Sequence, residues 1–76
     1  MKAIVIGMGV QGNKRKKILG NEFVFSVDSK KKADYKIISD VPLKLFDTVF
    51  LCVPDDQKIE IIKYCLKNKK NILVEK

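Results

Sequence analysis

The sequence predicts an α/β chain built on a doubly wound parallel sheet of about five strands, and three observations carry that prediction. Short apolar runs rich in β-branched and aromatic residues recur along the 76 residues. Segments with helical spacing lie between the first and second of these runs and between the third and fourth. None of the four strong runs alternates with polar residues. Continuous apolar strands are buried on both faces, the condition inside a parallel sheet covered by helices.

The elements follow in order. Ala3-Ile4-Val5-Ile6 is the first strand, and about Val10 to Leu19 the first helix. The middle of that helix reads Asn13-Lys14-Arg15-Lys16-Lys17, which leaves mainly Val10, Ile18 and Leu19 for the sheet before Gly20 offers a C-terminal stop. Phe23 to Val27 is the second strand. From Asp28 to Lys36 there is no room for a crossover helix, which with its loops needs at least ~10–12 residues. The second crossover is therefore shortened, and the weak candidate Lys36-Ile37-Ile38-Ser39 is an edge strand reached by a loop, or irregular. A turn or short helix at Pro42 to Phe46 returns the chain to the centre, where Thr48 to Val53 is the next strand. The best helix runs from about Asp55 to Lys69. Ile59, Ile62 and Leu66, joined by Cys65, fall on one apolar face. Asp55 and Asp56 suit the positive end of its dipole, and Lys67, Lys69 and Lys70 the negative end. Asn71 to Val74 is the last strand.

Composition bounds the function. A chain of this length is one domain, burying roughly 60% of the surface that its unfolded form exposes. No apolar run approaches the ~20 residues of a membrane helix, and Met1-Lys2 leads straight into a strand, so no signal peptide is expected and the default location is the cytoplasm. Histidine is absent, which excludes Cys/His zinc sites and Ser-His or Cys-His catalysis. Cys52 and Cys65 sit in apolar stretches without metal-ligand spacing, so no metal site is expected; they read as two reduced thiols, with a single disulfide as the alternative. The net charge of +7 attracts phosphates of any kind. Apart from Arg15 it is carried by lysine, which lacks the bidentate geometry of arginine.

Gly7-Met8-Gly9-Val10-Gln11-Gly12 is a G-x-G-x-x-G between a strand and a helix, the context in which that motif has physical meaning. The first glycine permits the tight turn, the second lets the backbone approach a pyrophosphate, and the third allows close helix–strand packing. The helix N-terminus supplies free N–H groups for the phosphates. Asp28, twenty-one positions after Gly7, ends the second strand, where a Rossmann dinucleotide-binding domain places the acid that accepts hydrogen bonds from the adenosine ribose. A carboxylate there favours NAD. Lys30, Lys31 and Lys32 follow directly and can reverse the preference toward NADP.

With those residues in place, the chain resembles the first domain of the glucose–fructose oxidoreductase/inositol dehydrogenase (Gfo/Idh/MocA) family. That domain has the glycine fingerprint and the acid after the second strand. It continues with an Asp-x-Val-x-[apolar]-x-[Thr/Val]-Pro strand, a helix near the proline, and a strand ending Glu-Lys-Pro. This chain offers Asp47-Thr48-Val49-Phe50-Leu51-Cys52-Val53-Pro54, then Asp55 to Glu60, then Asn71-Ile72-Leu73-Val74-Glu75-Lys76. The resemblance implies that the backbone at Val53, Pro54 and Asp55 lines the nicotinamide half of the cofactor site. It also implies that Glu75 and Lys76 stand where the family's Glu-Lys pair sits, with Lys76 beside the nicotinamide ribose and the reacting oxygen as the catalytic residue. Three departures accompany it. Lys58 stands where the family often has histidine, the second crossover is nearly deleted, and the chain stops before the proline and the substrate domain.

The leading functional expectation is thus the NAD(P)-binding part of an oxidoreductase acting on a sugar, cyclitol or related hydroxy compound, incomplete at Lys76 and not catalytic by itself. A stand-alone nucleotide-binding or sensing module is the alternative. Nucleic-acid binding ranks third, because no aromatic residues interleave with the lysine blocks as a stacking platform requires. A homo-oligomer is also expected. Ile72, Leu73 and Val74 form an apolar run at a strand edge that neither proline nor a bulge signal protects, and a two-fold dimer along it is the simplest closed arrangement. The charge of +7 opposes association, so salt should strengthen it. Sedimentation at low and moderate salt, with a Leu73→Lys variant beside the unaltered chain, checks this. A monomer at all salt concentrations, no more stable than the variant, would show that the edge is already covered.

Overall fold

The computed structural model describes residues 1–75. Four strands, β1 (Ala3–Ile6), β2 (Phe23–Val27), β3 (Thr48–Leu51) and β4 (Asn71–Val74), form one all-parallel sheet in the order β2-β1-β3-β4. Two helices, α1 (Val10–Leu19) and α2 (Asp55–Lys67), join β1 to β2 and β3 to β4. The chain winds outward from β1 to β2, then crosses back to lay β3 on the other side of β1. Such a reversal opens a crevice outside the carboxyl ends of the strands. Ile6 lies opposite both Val27 and Leu51, and Leu51 opposite Val74, so the four strands end level and their loops share one edge.

Successive side chains of a strand point to opposite faces, and here each face has its own core. On one, Ile4, Ile6, Val49 and Leu51 pack with Cys65, Ile61 and Ile62 of α2. On the other, Ala3, Val5 and Phe50 pack with Met8 and with Leu19 of α1. Every residue of β1 and β3 is buried, and all but Thr48 are apolar. β4 lies at the edge and is largely exposed. Among the described residues, no helix is long and apolar enough to cross a membrane.

Three expectations are corrected. The sheet has four strands instead of about five. Tyr35 makes a single parallel bridge to Val27, and Ile38–Asp40 is a 3-10 turn. With no crossover helix to carry it back, the chain touches the β2 edge once and moves on. Next, the sheet-facing side of α1 is Gly12, Arg15 and Leu19, while Val10 and Ile18 are exposed. Positions 12, 15 and 19 share a face at helical spacing, and the glycine sets that face toward the sheet. Last, α2 turns Ile61, Ile62 and Cys65 inward and leaves Ile59 and Leu66 exposed. Apolar residues cover more than half of its circumference, so spacing alone did not select the buried stripe.

The lysines at the end of α2 are not a uniform solvated block either. Lys70 donates from Nζ to the carbonyls of Leu43 and Phe46 at 2.6 and 2.7 Å and lies over the Phe46 ring, which ties the 3-10 turn Leu43–Leu45 to the start of β4. Lys69 adopts φ 56°, the left-handed conformation that ends the helix. A side chain in that conformation costs roughly 1–2 kcal/mol, of which glycine's larger unfolded entropy offsets roughly half. Lys69→Gly is therefore expected to stabilise the chain by about 0.5–1 kcal/mol, seen as a higher urea midpoint at unchanged slope.

Candidate functional site: the crevice beside the glycine turn

The turn from β1 into α1 is built by two glycines that cannot be replaced. Gly7 has φ 93°, donates its N–H to the Val27 carbonyl at 2.7 Å, and would place a Cβ 2.5 Å from the carbonyl oxygen of Cys52. A Cβ on Gly12 would lie 1.8 Å from the Gly7 carbonyl oxygen, so the first turn of α1 rests directly on the loop. Gly9 differs: a Cβ there meets nothing within 4 Å. The space above it is open, and the first amides of α1, which have no acceptor inside the helix, begin there. Asn13 braces the loop by donating from Nδ2 to the carbonyls of Met8 and Gly9, both at 2.9 Å.

Asp28 ties this loop to the next one. Its Oδ2 accepts the N–H of Met8 at 2.7 Å, and its Oδ1 accepts those of Lys30 and Lys31, each at 2.8 Å. Partial burial pushes the carboxyl pKa up, but the N–H donors at Lys31, Met8 and Lys30, with the Lys31 charge, outweigh it and hold it below its ordinary value. Asp28 is therefore firmly ionised at neutral pH. The loop it opens is closed by Asp34, whose Oδ2 accepts the N–H of Ser26 at 2.9 Å, and by Tyr35, whose N–H donates to the Ser26 carbonyl at 3.1 Å. The three lysines thus sit on a short loop fixed at both ends to β2.

Between these loops and α2 lies a cavity of about 540 Å³ at the carboxyl ends of β1, β2 and β3. It brings together Gly7, Gly9, Asp28, Val53 and Pro54 from the sequence-derived set. Residues that the sequence reading did not single out complete it: Ile37, Ile38 and Ser39 on the β2 side, and Gln57, Ile61 and Tyr64 from α2. The shortness of the second crossover was the available signal for the first group, since a chain with no crossover helix there must cover the β2 end with loop. A second, shallower depression of about 610 Å³ lies by Met8, Gly9 and Val10, and its wall includes Asn13, Lys14, Lys17 and Lys31.

The other predicted residues lie outside both hollows. Gln11 is exposed on α1, Gly12 is buried beneath the turn, and Asp55 is exposed and paired with Lys58 at 3.0 Å. Glu75 forms an ion pair with Arg15, without an aligned hydrogen bond to its buried Oε1. The Glu75 carbonyl accepts from Lys58 Nζ at 2.8 Å, so the end of β4 is gripped by both helices. Lys76 lies outside the described residues. Cys52 and Cys65 are free thiols. Burial pushes both pKa values up, helped at Cys52 by Glu75, so both stay protonated at neutral pH. Among the described residues, no three His, Cys, Asp or Glu side chains group as a metal site.

Two consequences can be measured. Because the folded-state pKa of Asp28 is depressed, its contribution to stability is fully present above the unfolded value of about 3.9 and is lost as pH falls through the folded value. Asp28→Asn should flatten the acid limb of a stability–pH curve below about pH 4, leaving the part due to Asp47, whose pKa is lowered by the Thr48 hydroxyl and the Lys2 N–H. An unchanged acid limb would mean that the three donors do not favour the ionised form. The glycines should separate by circular dichroism: Gly12→Ala loses the native spectrum, whereas Gly9→Val keeps it.

In comparisons with family models, with curated proteins and with solved structures, none matches the chain.

Proposed function

We propose that the chain is the dinucleotide-binding portion of an NAD(P)-dependent oxidoreductase. The observation that carries this reading is the juxtaposition, at one edge of the sheet, of open ground over Gly9 with the cavity beside Asp28. A dinucleotide needs both: close backbone approach for its pyrophosphate and a pocket for its adenosine. The first amides of α1 and the positive end of its dipole would face the pyrophosphate. The cavity volume lies within the range of small-ligand sites, and Ile37, Ile38, Pro54 and Ile61 offer apolar walls for a base. Asp28 accepts three backbone donors, and a carboxylate has about four lone-pair sites, so it retains room for a ribose hydroxyl.

When bound, the nicotinamide would accept or give a hydride at its C4 carbon. The residues of this chain would hold and orient it: the glycine turn at the pyrophosphate, Asp28 at the ribose, and Val53-Pro54 along the end of β3. The resemblance to the Gfo/Idh/MocA family directs the substrate reading toward a sugar, cyclitol or related hydroxy compound, with the pocket supplied by a further domain. Gly9→Val fills the open ground without touching the fold, so it should abolish binding of NADH and NADPH in calorimetric titrations while the circular dichroism stays native. Unchanged binding in a folded variant would sink the assignment.

A further inference from the structure

The open edge of the sheet at β4 is apolar from the helix above it down to the strand itself. Gln57, Glu60, Ile61 and Tyr64 of α2 line the crevice, toward β2. At about 100° per residue, Ile59, Ile62 and Leu66 stand on the other side of the helix, toward β4. Ile59 and Leu66 are 61% and 68% exposed. In β4, Ile72 and Val74 share the α2 face with Val49 and Leu51, while Leu73 shares the α1 face with Phe50. Leu73 and Val74 are exposed, and no described strand pairs with the outer side of β4. Charge is divided along α2. Asp55 and Asp56 open the helix, and Lys63 and Lys67 stand toward its end. Among the described residues, no ion pair engages Asp56, Lys63 or Lys67.

We propose that a second copy of this chain docks on the joint surface of α2 and β4, its β4 and α2 both antiparallel to their counterparts. The two-fold axis stands normal to the sheet, so like faces stay together and both α2 helices lie on one side. Setting Leu73 opposite its own copy puts Ile72 opposite Val74 of the copy, apolar against apolar on each face. The spacing closes as well. Strands in a sheet lie about 4.8 Å apart. α2 joins β3 to β4 and packs over them, about one such spacing from the axis. It then lies roughly 10 Å from its copy, the distance at which helices pack. Antiparallel helices bring the acidic start of each against the lysines of the other, with Ile59 meeting Leu66 between them. A parallel copy would set acid against acid and lysine against lysine. The sequence pointed only to the strand edge, whereas α2 gives the copy its direction. The carboxyl edges of the two sheets point opposite ways and leave both crevices open, so the docking is independent of what they bind.

Sedimentation equilibrium at moderate salt, where the charge of +7 is screened, tests this on the unaltered chain and on Leu66→Glu and Val10→Glu variants. Val10 is equally exposed but lies on α1, and its replacement makes the same charge change. The unaltered chain is expected to be a dimer, weakened roughly tenfold or more by Leu66→Glu. Val10→Glu should leave it unchanged, and all three should keep the native circular dichroism. Glutamate lowers the net positive charge, so general repulsion cannot account for a weaker dimer. A Leu73→Cys variant reads the strand pairing. Opposed residues of antiparallel strands have Cα atoms about 4.5–5.5 Å apart, within reach of a disulfide. Mild oxidation should therefore give a covalent dimer that neither the unaltered chain nor an Ile18→Cys variant gives. A monomer at every salt concentration overturns the proposal. So does a dimer that Leu66→Glu weakens no more than Val10→Glu, since its contact lies away from α2. A dimer in which Leu73→Cys cross-links no better than Ile18→Cys overturns the strand pairing.

Discussion

At the turn from β1 into α1, the backbone of Gly12 lies against the carbonyl of Gly7, with no space for even one carbon between them. Much of the molecule is arranged around that contact. It sets the helix down on the sheet at a fixed point and chooses which side of the helix faces inward. It also aims the first turn of α1 at the open ground over Gly9. The helix itself supplies little apolar surface for the purpose. Apart from Leu19, the sheet side of α1 is held by Arg15, whose guanidinium lies 5.9 Å from the centre of the Phe50 ring and pairs with Glu75. A helix so polar around its circumference depends on specific contacts more than on a hydrophobic stripe.

Asp28 extends this constraint to the rest of the crevice. Through Met8 it fixes the glycine turn, and through Lys30 and Lys31 it fixes the loop that replaces a crossover helix. The same carboxylate thus has a structural duty and faces the cavity. Where a missing helix would otherwise leave a ragged edge, Asp34 and Tyr35 bring the loop back to β2. The outcome is a rigid lysine-bearing loop next to an anion-favouring helix end. The opposite end of the edge is held by charge as well. Arg15 comes from one face of the sheet and Lys58 from the other, and both hold Glu75 at the end of β4.

The lysines divide by environment, which the net charge does not reveal. Lys58 and Lys70 spend their ammonium groups on backbone carbonyls and serve the fold. Lys16 lies over the Phe23 ring. Lys14, Lys17 and Lys31 line a hollow without a carboxylate in its wall. A sequence count weighs all of these alike, although their surroundings differ.

By itself the sequence determined the fold class, the parallel sheet, and most of the element boundaries. The runs at β1 and β3 are buried throughout, as their continuous apolar character requires, and the glycine triplet marks the turn from strand to helix. It also marked Gly7, Gly9, Asp28, Val53 and Pro54, which the fold does bring to one cavity. The tertiary structure decided which stripe of α2 is buried, because the helix is apolar over too much of its surface for periodicity to choose between Ile59 and Ile61. It decided that Arg15 faces the sheet where Val10 and Ile18 were expected, because glycine contact overrides side-chain polarity there. It also reduced the candidate strand near Ile37 to one bridge at Tyr35 and a turn, since nine residues cannot carry a crossover helix. The walls of the crevice, from Ile37 on one loop to Tyr64 on α2, were not legible in advance. They meet through the strand order β2-β1-β3, a relation between distant segments that local pattern does not encode.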